Sequence, residues 1–161
     1  MSSSLSPRLV FALAVVAIAG LFGYALYTQY VDGLEPCPLC MTQRGFYLLT
    51  AAVALIAALH NRGTRIYGGL LALAALGGAA VAGRQVWLQH LPPDQVPACG
   101  PSLEYMMETL PFGTVLLRMF QGDGNCAVVD WQLLGLSMAE WSLLCFAGLA
   151  AIGLWQALRR R

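Results

Sequence analysis

Four stretches of this chain are long and apolar enough to cross a lipid bilayer, and this limits the fold more than anything else in the sequence. A span needs roughly 20 predominantly apolar residues. Leu9 to Val31 carries no charge, Leu39 to Leu59 carries only Arg44, Ile66 to Leu91 only Arg84, and Trp141 to Leu158 none. Backbone polar groups in hydrocarbon must be satisfied within their own segment, so each stretch is predicted to be a helix. The expected fold is an all-α membrane protein, a four-transmembrane-helix bundle forming one domain over residues 1–161. Spans at about 9–31, 39–59, 66–91 and 141–158 leave a short first loop at about 32–38 and a long second loop at about 92–140. With 11% charged residues, against about 25% in an ordinary soluble domain, little chain remains for a separate soluble core.

Charge orients the bundle. Arg8 precedes span one, Arg62 and Arg65 lie between spans two and three, and Arg159 to Arg161 follow span four. All eight acids, Asp32, Glu35, Asp94, Glu104, Glu108, Asp123, Asp130 and Glu140, fall in the other two loops. The positive-inside rule then predicts cytoplasmic termini and puts both acidic loops across the membrane. Arg8, an apolar run and Ala17-Ile18-Ala19 resemble a cleavable signal peptide. The run continues to Tyr30, however, and the charge alternation requires an even number of spans, so the first span is expected to be retained. A net charge of +1 gives no reason to expect a nucleic-acid partner.

Pro36 and Pro38 hold the first loop extended, because proline fixes its own φ and biases its predecessor away from helix. His60-Asn61-Arg62-Gly63 is a tight basic turn. In the second loop, Leu103 to Phe120 is apolar with scattered polar residues and is interrupted by Pro111. It fits either an interfacial amphipathic segment or a loop packed on the bundle. Gly122-Asp123-Gly124-Asn125 is a turn signal ahead of Cys126. Ala74, Gly78 and Ala82, four residues apart, predict close helix packing. Ser2 to Ser4 is the one low-complexity patch.

Of five cysteines, Cys145 lies inside span four and is expected to be inert. The other four, Cys37, Cys40, Cys99 and Cys126, lie in or beside the acidic loops and allow three pairings. Cys37 with Cys40, and Cys99 with Cys126, is the simplest resting set. Structural disulfides, a zinc site and redox exchange compete as explanations. Zinc usually takes two C-x-x-C knuckles, and Cys99 and Cys126 do not form one, so no metal is expected.

The surroundings of Cys40 favour redox exchange. It opens span two, where unpaired N–H groups gather partial positive charge. Arg44 follows one turn deeper on the same face. Both favour thiolate over thiol. Arg44 either snorkels to the interface or stabilises the Cys40 thiolate and offers a donor to a carbonyl-bearing acceptor in the lipid phase. Gln85 and Gln89 share a face near the outer end of span three and are candidates to line the same pocket. Trp87 and His90 read as interfacial, and Arg84 as a snorkelling charge.

Pro36-Cys37-Pro38-Leu39-Cys40-Met41-Thr42-Gln43-Arg44 resembles the signature of the DsbB family of disulfide-bond-forming membrane proteins. So do Val86-Trp87-Leu88-Gln89, the Gly-Asp-Gly-Asn turn before Cys126, and Trp131 to Met138 followed by Trp141. The resemblance covers nearly the whole chain. It implies a thiol:quinone oxidoreductase of the bacterial inner membrane, with its cysteines on the periplasmic side. Such a protein reoxidises a DsbA-like periplasmic thioredoxin-fold partner and passes the electrons to ubiquinone or menaquinone in the lipid pool. By the same resemblance, the partner attacks a Cys99–Cys126 disulfide through Cys99, Cys126 passes electrons to Cys37, and Cys40 meets quinone near Arg44. Gln85 stands where many relatives carry a histidine near the quinone, and Gln43 where some carry glutamate. A paralogue dedicated to one partner, or a non-catalytic protein with structural disulfides, are the rival expectations.

Overall fold

The computed structural model describes residues 6–159, so Arg160, Arg161 and Ser2 to Ser4 lie outside the described residues. Four long helices carry the architecture: α1 (Pro7–Tyr30), α2 (Pro38–His60), α3 (Thr64–Gln89) and α6 (Met138–Leu158). They contain 24, 23, 26 and 21 residues. At 1.5 Å per residue each is roughly 30–40 Å long, enough for a hydrocarbon core of about 30 Å. All four meet the length and composition of a membrane span. The chain is thus a mostly helical, four-span membrane protein, as its apolar runs require.

Local chemistry sets the boundaries. Ser6 caps α1 by accepting from Leu9 N, and Pro7 fills the first turn, where its missing N–H costs nothing. Cys37 is the extended N-cap of α2, followed by Pro38. Asn61 and Gly63, both left-handed, reverse the chain between α2 and α3. Helix α6 begins three residues before the expected Trp141, because Ser137 and Glu140 form a reciprocal capping box. Helix α3 ends at Gln89, two residues before the expected Leu91. The start of α1, the 61–63 turn and the end of α6 come together, with Pro7, Gly63, Arg65 and Arg159 lining one hollow. Both cysteine-bearing loops occupy the opposite end.

Helix α3 is the centre of the bundle, packing on α2 along one side and most extensively on α6 along another. Glycine makes the second contact possible. A Cβ on Gly68 would lie 2.6 Å from Ala157 N, and one on Gly153 would lie 2.7 Å from Ala72 N. Gly78 faces the ring of buried Phe146, and Ala74 and Ala82 are buried beside it. Helix α1 packs chiefly on α2.

The second loop is ordered. It holds α4 (Leu103–Thr109), α5 (Phe112–Gln121), a 3-10 turn (Gly124–Ala127) and a two-stranded hairpin, β1 (Gln132–Leu133) with β2 (Leu136–Ser137). Pro111 is the N-cap of α5. Helix α5 packs on the bundle: Thr42 Oγ1 donates to Met119 O at 3.1 Å, Arg84 Nε donates to Gln121 O at 3.0 Å, and Phe120 sits edge-on to Phe46. Phe112, Leu116 and Leu117 stay exposed on its far side, so this segment both packs on the bundle and keeps the apolar outer face of an interfacial helix. Arg84, exposed near the outer end of α3, bonds the end of α5 and lies over Trp87.

The close α3–α6 contact predicts that Gly153→Val costs about 1–3 kcal/mol through overpacking. Gly148→Ala on the same helix, where a Cβ meets nothing within 4 Å, should be neutral. Unfolding midpoints in detergent compare the two, and equal midpoints would contradict this packing.

Candidate functional site

The first turn of α2 builds the site. Cys37 at the N-cap and Cys40 three residues on share one face of that turn, and their sulfurs lie 3.2 Å apart without a bond. From α3, Gln85 Nε2 donates to Cys40 Sγ at 3.3 Å and to Cys37 Sγ at 3.5 Å. Gln43, next on the same face of α2, donates through Nε2 to Gln85 Oε1 at 2.7 Å. Both amides are buried.

Cys126 approaches from the second loop. Asp123 caps the 3-10 turn by accepting from Asn125 N at 3.1 Å. Cys126 is then fully buried against Leu39, Val81 and Leu88, with Cys37 packed alongside. The Cys37 thiol donates to Cys40 Sγ at 3.2 Å. Interaction with Cys126, the bond to Cys40 and burial push the Cys37 thiol well above its ordinary range. Interaction with Cys37, aided by backbone donors, lowers Cys126 against the opposing effects of burial and the Asp123 charge.

Cys99 is exposed. Its segment is stitched to the Cys126 turn through Gly124 N to Ala98 O at 3.2 Å and Asn125 Nδ2 to Gly100 O at 3.3 Å. All five cysteines are free thiols in this structure. In this reduced state Cys126 lies against Cys37, held there by the seating of the 3-10 turn among Leu39, Val81 and Leu88.

Cys40 opens onto a cavity of about 320 Å³. Its walls come from α1 (Leu21, Phe22, Tyr24), α6 (Met138, Trp141, Cys145) and the hairpin region (Val129, Trp131), and Gln43, Arg44, Gln85 and Gln89 also line it. Arg44 is anchored on α1, where it donates to Gln29 Oε1 and to Ala25 O, the latter at 2.9 Å. Gln89 Oε1 accepts from Ser137 Oγ at 2.8 Å and so ties α3 to the start of α6. Cys145, half-buried in α6, is part of the cavity wall.

Sequence reading did not identify Gln29 as the anchor of Arg44, nor Gln43 as the partner of Gln85. The available signal was polarity: amides are costly in apolar spans unless bonded. The hairpin was missed too. Its turn needs positive φ at Leu134 and Gly135, and leucine gives no such cue.

Three thiols converge on one helix end at the rim of an apolar bundle, a placement that meets the need of thiol–disulfide exchange for a thiolate beside a sulfur it can attack. Residues 7–156 match the family model described as Disulfide bond formation protein DsbB. The chain is 52% identical over 163 residues to Disulfide bond formation protein B of Hahella chejuensis, covering 99% of each. It is 51% identical to the protein of the same name from Methylococcus capsulatus, covering 94% of each. It is 49% identical to Disulfide bond formation protein B 1 of Pseudomonas aeruginosa, covering 96% of this chain and 97% of that one. This chain belongs to the DsbB family, which makes it a multi-pass membrane oxidoreductase of disulfide formation.

The contact between Cys37 and Cys126 predicts that mild oxidation of a Cys40→Ser variant links these two residues. Peptide mapping under non-reducing conditions reads the bond. A product joined only through Cys99 would contradict the contact.

Proposed function

We propose that this protein passes electron pairs from a DsbA-like periplasmic thioredoxin-fold dithiol to membrane quinone, through Cys99 and Cys126 and then Cys37 and Cys40. One observation carries this reading: Cys37 packs against the cluster holding Cys126 on one side and hydrogen-bonds Cys40 on the other, and Cys40 opens onto the cavity. Charge supports cytoplasmic termini and puts the cysteine-bearing loops in the periplasm.

In the proposed cycle the partner's thiolate attacks Cys99 of a Cys99–Cys126 disulfide. A mixed disulfide forms on Cys99, and the electron pair leaves on Cys126. The partner's second thiol then displaces Cys99 and completes the partner's own disulfide. The Cys126 thiolate attacks Cys37 of a Cys37–Cys40 disulfide, and the pair leaves on Cys40. Cys99 next attacks Cys126, restoring the first disulfide and returning Cys37 as a thiol. Two electrons and two protons then leave the Cys37–Cys40 dithiol as its disulfide closes. Quinone, when bound, supplies the two-electron, two-proton acceptor.

The residues at the cavity suit a quinone head. The volume falls within the range of about 300–1,000 Å³ typical of small-molecule sites, which are mostly apolar with a few placed polar groups. Helices α1 and α6 each wall one side and pack chiefly on other helices, which suits entry from lipid between them. Arg44 has five N–H donors, and its contacts among the described residues leave some for a carbonyl oxygen. Its anchorage to α1 holds the guanidinium in place before any ligand arrives.

Quinone absorbance in detergent-solubilised protein, with a reduced DsbA-like protein as donor, tests the proposal. Bleaching at wild-type Cys40, lost by at least about a thousandfold in Cys40→Ser as expected for removal of a reacting thiolate, is the expected result. Full turnover in Cys40→Ser would refute the route.

A further inference from the structure

The two amides buried beside the dithiol are not explained by quinone binding. We infer that Gln85 and Gln43 form a non-titrating clamp on the reacting sulfurs, in which Gln85 holds the Cys40 thiolate and Gln43 positions Gln85. The inference deepens the proposed function and rests on it for the step that releases Cys40 from its disulfide. It reassigns Gln85 from quinone ligand to thiolate partner.

The geometry carries the inference. Gln85 Nε2 lies 3.3 Å from Cys40 Sγ and 3.5 Å from Cys37 Sγ, within reach of both sulfurs of the pair. Gln85 Oε1 accepts from Gln43 Nε2 at 2.7 Å and from the Cys40 thiol at 3.6 Å. Gln85 is 4% exposed and Gln43 is 5% exposed, so their polar atoms depend on protein partners rather than water. An amide has one oxygen and one NH2. With its oxygen held by Gln43, Gln85 turns its NH2 toward the dithiol. If Gln85 turned alone, NH2 would face NH2. If both amides turned together, their mutual bond would be restored, but Gln85 Oε1 would be set against a thiolate. When Cys40 becomes a thiolate it can no longer donate to Oε1, and the bond from Gln85 Nε2 is the one that strengthens.

A function follows from the chemistry of exchange. When Cys126 attacks Cys37, the S–S bond between Cys37 and Cys40 breaks and the electron pair stays on Cys40. The charge forms beside a donor already in position, so little reorganisation is needed. A neutral amide has no proton to lend at this stage, so Cys40 stays a nucleophile. Arg44 adds charge from the cavity side, but its guanidinium is fixed to α1 through Gln29 and Ala25 O. The direct bond to sulfur comes from α3.

Two readouts on the full-length reduced protein in detergent test this. The first is the rate of iodoacetamide alkylation at Cys40, followed by mass spectrometry at neutral pH. The second is kcat and KM for quinone. Loss of a hydrogen bond to a charged sulfur predicts about tenfold slower alkylation in Gln85→Leu, with kcat lowered and quinone KM within twofold of wild type. Gln43→Leu should slow alkylation less, and the double variant should be no slower than Gln85→Leu alone, because the pair acts as a unit. Gln85→His, which keeps an N–H donor, should recover most of the alkylation rate. Unchanged alkylation with a raised quinone KM in Gln85→Leu would return Gln85 to the quinone and overturn the clamp. Equal impairment in Gln85→His and Gln85→Leu would trace the effect to packing and overturn it as well. Alkylation needs no quinone, so it decides the clamp even if quinone turnover fails.

Discussion

The turn from Gly122 to Cys126 rests on the first turn of α2, and the chemistry at that end of the bundle follows from this seating. Gly122 has φ +72, and a Cβ there would lie 2.6 Å from Leu39 Cδ1 and 3.2 Å from Leu88 Cδ1. Only glycine meets both demands, the left-handed backbone and the close approach. Leu39, Leu88 and Cys126 are in consequence almost wholly buried. Helix α5 holds the turn from one side through Met119 O and Gln121 O. On the other side, the 97–100 segment is bonded to Gly124 and Asn125. A long loop is thereby fixed so that one thiol meets the C-x-x-C pair and another stays exposed.

That arrangement separates two environments a few residues apart. Cys99 is exposed, while Cys40 faces a cavity among α1, α3 and α6. Cys37 stands between them, hydrogen-bonded to Cys40 on one side and packed beside Cys126 on the other. In the proposed cycle electron pairs pass between these environments by exchange of sulfur bonds.

The sequence made the four spans legible because lipid imposes a simple rule on length and polarity. The dithiol was legible because C-x-x-C at a helix start with Arg44 one turn deeper is a pattern with a mechanism. Boundaries shifted where side chains overruled hydropathy, as Ser137 and Glu140 did at the start of α6. The long loop was the least legible part. Leu103 to Phe120 showed amphipathic character, but whether it packs on the bundle depends on Thr42 and Arg84, far away in sequence. The Gln43–Gln85 pair was hidden for the same reason, since each glutamine alone reads as a polar residue near a membrane interface. Cys126 against Cys37 is likewise a tertiary fact, set by the fit of Gly122 over Leu39.

The relay through Cys126 is tested most directly by turnover of a Cys126→Ala variant with two donors. With a reduced DsbA-like protein as donor, quinone reduction should fall by at least about a hundredfold, because no thiolate then stands beside Cys37 to open its disulfide. With dithiothreitol, small enough to reach the Cys37–Cys40 bond itself, reduction should persist near the wild-type rate. Undiminished turnover with the protein donor would mean that electrons reach Cys37 without Cys126, contrary to the order of exchange proposed for these four cysteines.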